Sequence, residues 1–263
     1  MTLSRREAYM SLANSHTQDG SGAALGIMRT NGFAISAKTL TEGGDEDEIY
    51  SVVAEQLSHI NHSCSPNVTW NWDRASFGME LRAVRKIRKD EEMFVHYCVL
   101  DAPSAKRQDV LAPYGFRCSC ASCSDPIASD RRRREITSGP FAKAAPGSVS
   151  LKASLNQLRQ IEEEGLEILP HYIHALRCTA KAYEKAGNLE KEREFRKKVY
   201  LHTLGLMGRA RAMDNHPRVR RIHDPQFGEN LNQSCHCVYE VLFFLVLVCM
   251  SCIVLLYHGR PYC

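Results

Sequence analysis

The sequence predicts an α+β protein: a mostly-β first part, an α-helical hairpin region after it, and an apolar C-terminal helix. Three observations carry this reading. Val68-Thr69-Trp70-Asn71-Trp72 is built from strand-forming types, and between Phe77 and Val84 apolar and polar residues alternate loosely as in a partner strand. From Leu151 onward the apolar residues instead recur about every 3.6 positions, the period of a helix with one buried face. Val241 to Tyr257 is an uninterrupted apolar run. The stretch 125–150, rich in Ser, Arg, Pro and Gly, reads as a linker. It separates a first domain at 1–124 from a helical region at 151–210.

Taken in order, Ser4 and Glu7 fit a capping box, so a short helix is expected to about Ala13. Asn14 to Ala24 is polar and Gly-rich and reads as loop. Leu25 to Ile35 reads as a broken strand or turn-rich segment, and the acidic run Asp45 to Glu48 as a solvated loop. Ile49 to Ile60 carries Val52, Val53, Leu57 and Ile60 at helical spacing, which predicts a helix. Val68–Trp72 and Phe77–Val84 are expected to pair as strands, with a further strand over Glu92–Val99. The Arg131–Arg134 run reads as solvated linker charge, ahead of a nuclear address or an acidic-surface contact. Leu151, Leu155, Leu158 and Ile161 form one apolar stripe. Pro170 opens a second helix, which Gly187-Asn188 closes, and a third runs from Leu189 to about Met207. This helix–turn–helix pattern resembles a tetratricopeptide hairpin. A single such unit cannot bury its own face, so it must pack on the first domain or on neighbours.

The chain of 263 residues carries a formal net charge of +4, which tolerates an acidic partner and gives no ground for direct nucleic-acid binding. Of its 11 cysteines, Cys64, Cys118, Cys120 and Cys123 fall in the first part, and others crowd the stretch from Cys235. No charged segment followed by an apolar one opens the sequence, so a signal peptide is not expected. Clustered cysteines without such a signal read as metal ligands before they read as disulfides.

Three segments carry chemistry. They are Asn61-His62-Ser63-Cys64-Ser65-Pro66-Asn67, then Glu91-Glu92 followed by Tyr97, then Tyr114-Gly115-Phe116-Arg117-Cys118-Ser119-Cys120-Ala121-Ser122-Cys123. In this order and spacing they resemble the NHSCxPN, GEExxxxY and post-SET CxCxxC motifs of SET-domain proteins of the SMYD-like and fungal SET type. Thr30-Asn31-Gly32-Phe33 is similar to a further element of that group. The resemblance implies a mostly-β SET core, here its C-terminal portion, acting as a protein-lysine N-methyltransferase that uses S-adenosylmethionine. It implies a zinc ion held by Cys64, Cys118, Cys120 and Cys123, since CxCxxC offers three thiolates and tetrahedral zinc takes four ligands. Tyr97 is implied as the catalytic tyrosine, and Tyr97, Tyr114 and Phe116 as the lining of the lysine channel. Asn31, Asn61, His62 and Phe116 are implied as cofactor contacts, His62 largely through its backbone rather than as a base or zinc ligand. The implied substrate is a lysine on a histone or another protein, and the implied location is nuclear, cytoplasmic or both.

The chain departs from the family pattern at both ends. No Gly-x-Gly segment like the family's lies upstream of Asn31, and Asp90 stands where the family has Gly before Glu91. An N-terminally truncated module, weak or inactive alone, is therefore expected. The residues 238–257 read either as a transmembrane helix, since about 17 apolar residues is the lower limit for a span, or as a non-native tail. The alternative to an enzyme is a non-catalytic interaction protein with helical hairpins, tethered to a membrane if that tail inserts.

Overall fold

The computed structural model describes residues 2–40, 43–74, 76–214 and 253–255. Helix α1 (Leu3–Met10) begins at Thr2, whose hydroxyl accepts the Arg5 N–H at 3.3 Å. Thr2 is thus the cap, in place of the expected Ser4. Helix α2 (Gly22–Asn31) occupies most of the segment expected to be a broken strand, and extended backbone starts only at β1 (Gly32–Ser36). The helix turns Ile27 and Met28 onto Tyr9, Leu12 and Val53, a small core that the local sequence does not announce. The Tyr9 hydroxyl closes that contact by donating to the Ala24 carbonyl at 2.7 Å.

After the short α3 (Ala37–Leu40) comes β2 (Ile49–Val53), antiparallel to β1 with Gly32 opposite Val53 and Ser36 opposite Ile49. The helix predicted over Ile49–Ile60 is therefore corrected to a strand followed by a 3₁₀ turn at Leu57–His59. Val52 and Leu57 still meet in one core with Ile35, Trp72 and Met79, so the apolar spacing is satisfied by a bend rather than a helix. Strands β3 (Asn61–His62), β4 (Val68–Asp73), β5 (Gly78–Ala83) and β6 (Phe94–Val95) follow. β4 and β5 form the expected antiparallel pair, from Val68 opposite Ala83 to Asp73 opposite Gly78. The strand expected over Glu92–Val99 shrinks to the two residues of β6, which run parallel to β3.

Helices α4 (Ser104–Leu111), α5 (Ala121–Ser124) and α6 (Pro126–Ser138) lead into the helical region. Asp125 caps α6 by accepting the Ala128 N–H, and Pro126 sits in its first turn, where no N–H is needed. The run expected to be solvated linker charge lies within this helix. Arg133 is only 1% exposed there, so for that residue the expectation is corrected. Helices α7 (Leu151–Glu164), α8 (Pro170–Lys185) and α9 (Leu189–Asp214) match the predicted hairpins. Their stripe residues Leu158, Ile161, Leu176 and Phe195 bury against Leu100 and Ile136 of the preceding part. The unit thus covers its face by packing on Leu100 and on Ile136 of α6. Gly165 ends α7 in the left-handed region at φ 64°, and a Cβ there would lie 2.5 Å from that of Ser65. The turn after α7 consequently rests directly on the Asn61–Asn67 motif.

The expected apolar C-terminal helix over 238–257 lies outside the described residues except for β7 (Ile253–Leu255). Those three residues are extended, not helical, and pair antiparallel to β2 with Val254 opposite Val52. The backbone of β2 offers them a ladder of hydrogen bonds, and β-branched Ile253 and Val254 favour extended backbone. Among the described residues no helix is long and apolar enough to cross a membrane.

Just past α7, Glu167 is buried, and one carboxylate oxygen, Oε2, has no hydrogen-bond partner. Burial raises its pKa from 4.5 to about 7, with the nearby Arg85 working in the other direction. A carboxylate whose folded pKa is raised destabilises the fold once it ionises. Its penalty is absent below 4.5 and complete above about 7, and corresponds to about 3 kcal/mol. Glu167→Gln should therefore raise the urea midpoint at pH 8 and flatten its decline between pH 5 and 7. An unchanged pH profile would show that Glu167 ionises without cost.

Candidate functional site

The parallel pairing of β3 with β6 brings the first two motifs together. Asn61 lies opposite Phe94 and His62 opposite Val95. Asn67, 1% exposed, locks the join: its Oδ1 accepts the Phe94 N–H at 2.7 Å and its Nδ2 donates to the Glu92 carbonyl at 2.8 Å. Glu91 accepts from the Arg88 N–H and pairs with Arg85 at 2.7 Å, and Arg85 foremost holds its carboxyl down at about 2. Asp90 adopts φ 65°, the left-handed turn for which glycine is the usual residue and which Asp tolerates.

These contacts deliver Tyr97 to the centre of an aromatic row. Its ring lies 5.4 Å from that of His62 and 5.0 Å from that of Tyr114, and the Phe116 ring lies 6.1 Å from that of His62. The Tyr97 hydroxyl donates to the Ile60 carbonyl at 2.6 Å. Burial first, and then Tyr114, raise its pKa, so it is neutral at neutral pH. Tyr97 and Tyr114 help line a cavity of about 540 Å³ with Asn31, Phe33 and Leu57, to which the turn after α7 adds Ile168 and Leu169.

Asn31, Asn61, His62 and Phe116 are not gathered into one cluster. Asn31 is on the cavity side with Tyr97 and Tyr114, and its Nδ2 is committed to the carbonyls of Ala13 and Ile27 at 2.7 and 2.8 Å. Asn61, His62 and Phe116 are outside the cavity lining, with His62 against the Tyr97 ring and Phe116 against that of His62. The Asn61 Nδ2 donates to the Glu92 carboxylate at 2.8 Å.

Beneath the row, Cys64, Cys118, Cys120 and Cys123 converge, all four sulfurs within 4.8 Å of one another. Cys64 Sγ is 4.0 Å from that of Cys118 and 3.6 Å from that of Cys123. A tetrahedral zinc with 2.3 Å bonds sets its sulfurs about 3.8 Å apart, so the four residues fit that ion. Thiols this close cannot all ionise alone. Cys64 is pushed far up, mainly by its hydrogen bonds to Cys120 and Cys98, while Cys120 is drawn down to about 4, mainly by Cys64. A divalent cation is what would allow four thiolates here.

Four residues around this centre were not legible as functional in the sequence. Gln108 on α4 clasps Cys118, donating to its carbonyl at 2.8 Å and accepting its N–H at 3.0 Å. Arg107 is fully buried, donates to the Ala102 carbonyl at 2.6 Å, and turns Nη2 toward Cys123 Sγ at 4.0 Å. Arg133 donates to the Cys64 carbonyl at 2.9 Å and to Ser122 Oγ at 2.8 Å. Its carboxylate partner is Glu164, at the end of α7. Polar side chains within helices carry no spacing signal for such a role, and only the folded structure shows which of them face the cysteines.

Residues 5–98 match the SET domain family. Histone-lysine N-methyltransferase set5 of Schizosaccharomyces pombe is 32% identical over 164 residues, covering 60% of this chain and 48% of the relative. Histone-lysine N-methyltransferase SET5 of Scheffersomyces stipitis is 32% identical over 117 residues, 43% of this chain and 23% of the relative. Human N-lysine methyltransferase SMYD2 is 32% identical over 117 residues, 43% of this chain and 25% of the relative. The chain thus spans half or less of the length of these relatives.

Proposed function

Residues 5–98 belong to the SET-domain family, with fungal set5-type and SMYD-type relatives, and from this premise we propose that the chain is a protein-lysine N-methyltransferase module using S-adenosylmethionine. The observation that carries the reading is the position of Tyr97, which lines the cavity with Tyr114 and packs against His62 of the first motif. S-adenosylmethionine supplies a methyl group on a sulfonium. The chain's part is to hold a lysine amine in line with that methyl and to exclude water. Phe33, Leu57, Tyr114 and Leu169 favour the neutral amine where they form the cavity wall, because apolar surroundings disfavour ammonium, whereas Asp101 in the same lining attracts the charged form. The Tyr97 hydroxyl spends its proton on the Ile60 carbonyl. Its oxygen is then left to accept from the amine N–H and orient the amine.

Asn31, Asn61, His62 and Phe116 are assigned to the cofactor, and Tyr97, Tyr114 and Phe116 to the lysine channel. Cys64, Cys118, Cys120 and Cys123 are assigned to zinc, which would fix the segment carrying Tyr114 and Phe116. The substrate is a lysine side chain of a histone or another protein. A non-catalytic interaction module is the second reading. It is favoured by the side-chain nitrogens of Asn31 and Asn61, both already engaged within the protein.

One comparison separates the two. With labelled S-adenosylmethionine and mixed histones, Tyr97→Phe should cut methyl transfer by about 10² or more, the scale of a misplaced reactant, with cofactor affinity in titration calorimetry little changed. Equal transfer by both proteins would remove Tyr97 from the mechanism. No cofactor binding by the parent chain would favour the interaction module.

A further inference from the structure

We infer that the His62 imidazole is a positioning residue linking the four-cysteine centre to Tyr97, so that the metal held by Cys64 sets where the Tyr97 backbone lies. The inference rests on the reading of Cys64 as a zinc ligand and Tyr97 as the wall of the active site. His62 is 8% exposed; Nδ1 faces the Tyr97 amide and Nε2 faces Cys64 Sγ, with the Cys98 sulfur also beside the ring. The Tyr97 N–H points at Nδ1 at 3.0 Å. A backbone amide can only donate, so Nδ1 is the bare acceptor and the ring proton resides on Nε2. Nε2 lies 3.3 Å from Cys64 Sγ and directs that proton at the sulfur.

The ring has little freedom to do otherwise. Its backbone is held in β3 opposite Val95, and the next residue, Ser63, donates its N–H to the Val95 carbonyl at 3.0 Å. A line of contacts therefore runs from the Cys64 sulfur through one imidazole to the Tyr97 amide. The acceptor end of this line changes with the metal. A metal-bound thiolate keeps negative charge and a defined position, and hydrogen bonds to charged acceptors are shorter and stronger than to neutral ones. A cofactor role confined to the His62 backbone would leave the side chain without a task, and the relay supplies one.

Replacements that each mimic one ring nitrogen divide the two ends. Asn puts a side-chain oxygen near the place of Nδ1 and offers nothing to Cys64. Gln puts an amide nitrogen near the place of Nε2 and leaves the Tyr97 N–H without an acceptor. The full chain would be labelled with ¹⁵N-tyrosine, and the Tyr97 resonance identified by its loss in Tyr97→Phe. Zinc would then be exchanged for the larger cadmium ion. In the parent chain the exchange should displace the Tyr97 amide resonance. In His62→Asn the displacement should vanish, with zinc affinity falling about 10–100-fold, the usual cost of losing an outer-shell partner. In His62→Gln zinc affinity should stay near that of the parent while the displacement is lost.

An unmoved Tyr97 resonance in the metal-loaded parent would overturn the relay alone, as would a displacement that persists in His62→Asn. A parent chain that binds no metal would overturn both the relay and the zinc assignment. The exchange in the parent decides the matter even if neither variant folds.

Discussion

Replacing one thiolate, in Cys64→Ser, should abolish stoichiometric zinc binding and release the segment from Tyr114 to Ser124, while α7 and α8 stay folded. That segment has little structure of its own: a 3₁₀ turn at Ala112–Tyr114 and the four-residue α5. Apart from the sulfurs, the Cys118 end is held by the two bonds from Gln108 and the Ser122 end by Ser65 and Arg133. Structural zinc contributes about 10–16 kcal/mol in small peptides, far more than these bonds supply at about 1 kcal/mol each. The helices should persist because their core of Leu158, Ile161, Leu176 and Phe195 contains no cysteine. The check is zinc content by elemental analysis with hydrogen exchange of residues 114–124. Full zinc in Cys64→Ser, or slow exchange of that segment after chelation, would remove the metal from the account.

Truncating the buried arginine, in Arg133→Met, should cost about 3–5 kcal/mol, the scale of breaking a buried ion pair from one side. Arg133 and Glu164 are each 1% exposed, with Nε 3.1 Å from Oε2. Arg133 also donates to the Leu100 carbonyl at 2.5 Å, so three separate segments converge on one guanidinium. Removing it leaves Glu164 with the half-exposed Arg132 and with Ser129. The double variant Arg133→Met with Glu164→Gln should recover much of the loss, because no uncompensated charge is then buried. Glu164 also has the opposite pH signature to Glu167. Although burial opposes it, Ser129, Arg132 and Arg133 hold its pKa below 4.5, so its stabilisation is complete above 4.5 and is lost as acid lowers the pH further. Urea midpoints of the two single variants and the double measure the coupling. Additive effects would show that the pair is not a unit.

The CxCxxC pattern singled out three sulfurs by spacing, because ligand geometry restricts a metal knuckle to a few spacings, and the resemblance of the Asn61–Asn67 motif to its family added Cys64; the four do converge. The β4–β5 pair and helices α7 to α9 were equally legible, since each presents one apolar face with its own period. Periodicity, however, reports only that a face is buried and not what it is buried against. Ile49–Ile60 shows helical spacing, yet it forms strand β2 because β1 offers it a ladder and Trp72 and Met79 a core. Arg133 has the local sequence of a solvated charge run, and its burial depends on the carbonyl of Cys64, 69 positions earlier. His62 was placed by its motif, but the two partners of its ring depend on a β3–β6 pairing that no local pattern encodes. The sequence by itself therefore determined which residue types could do chemistry and at what spacing. The tertiary structure alone decided which charges are buried and which hydrogen bonds join the motifs, because both depend on partners that only folding brings near.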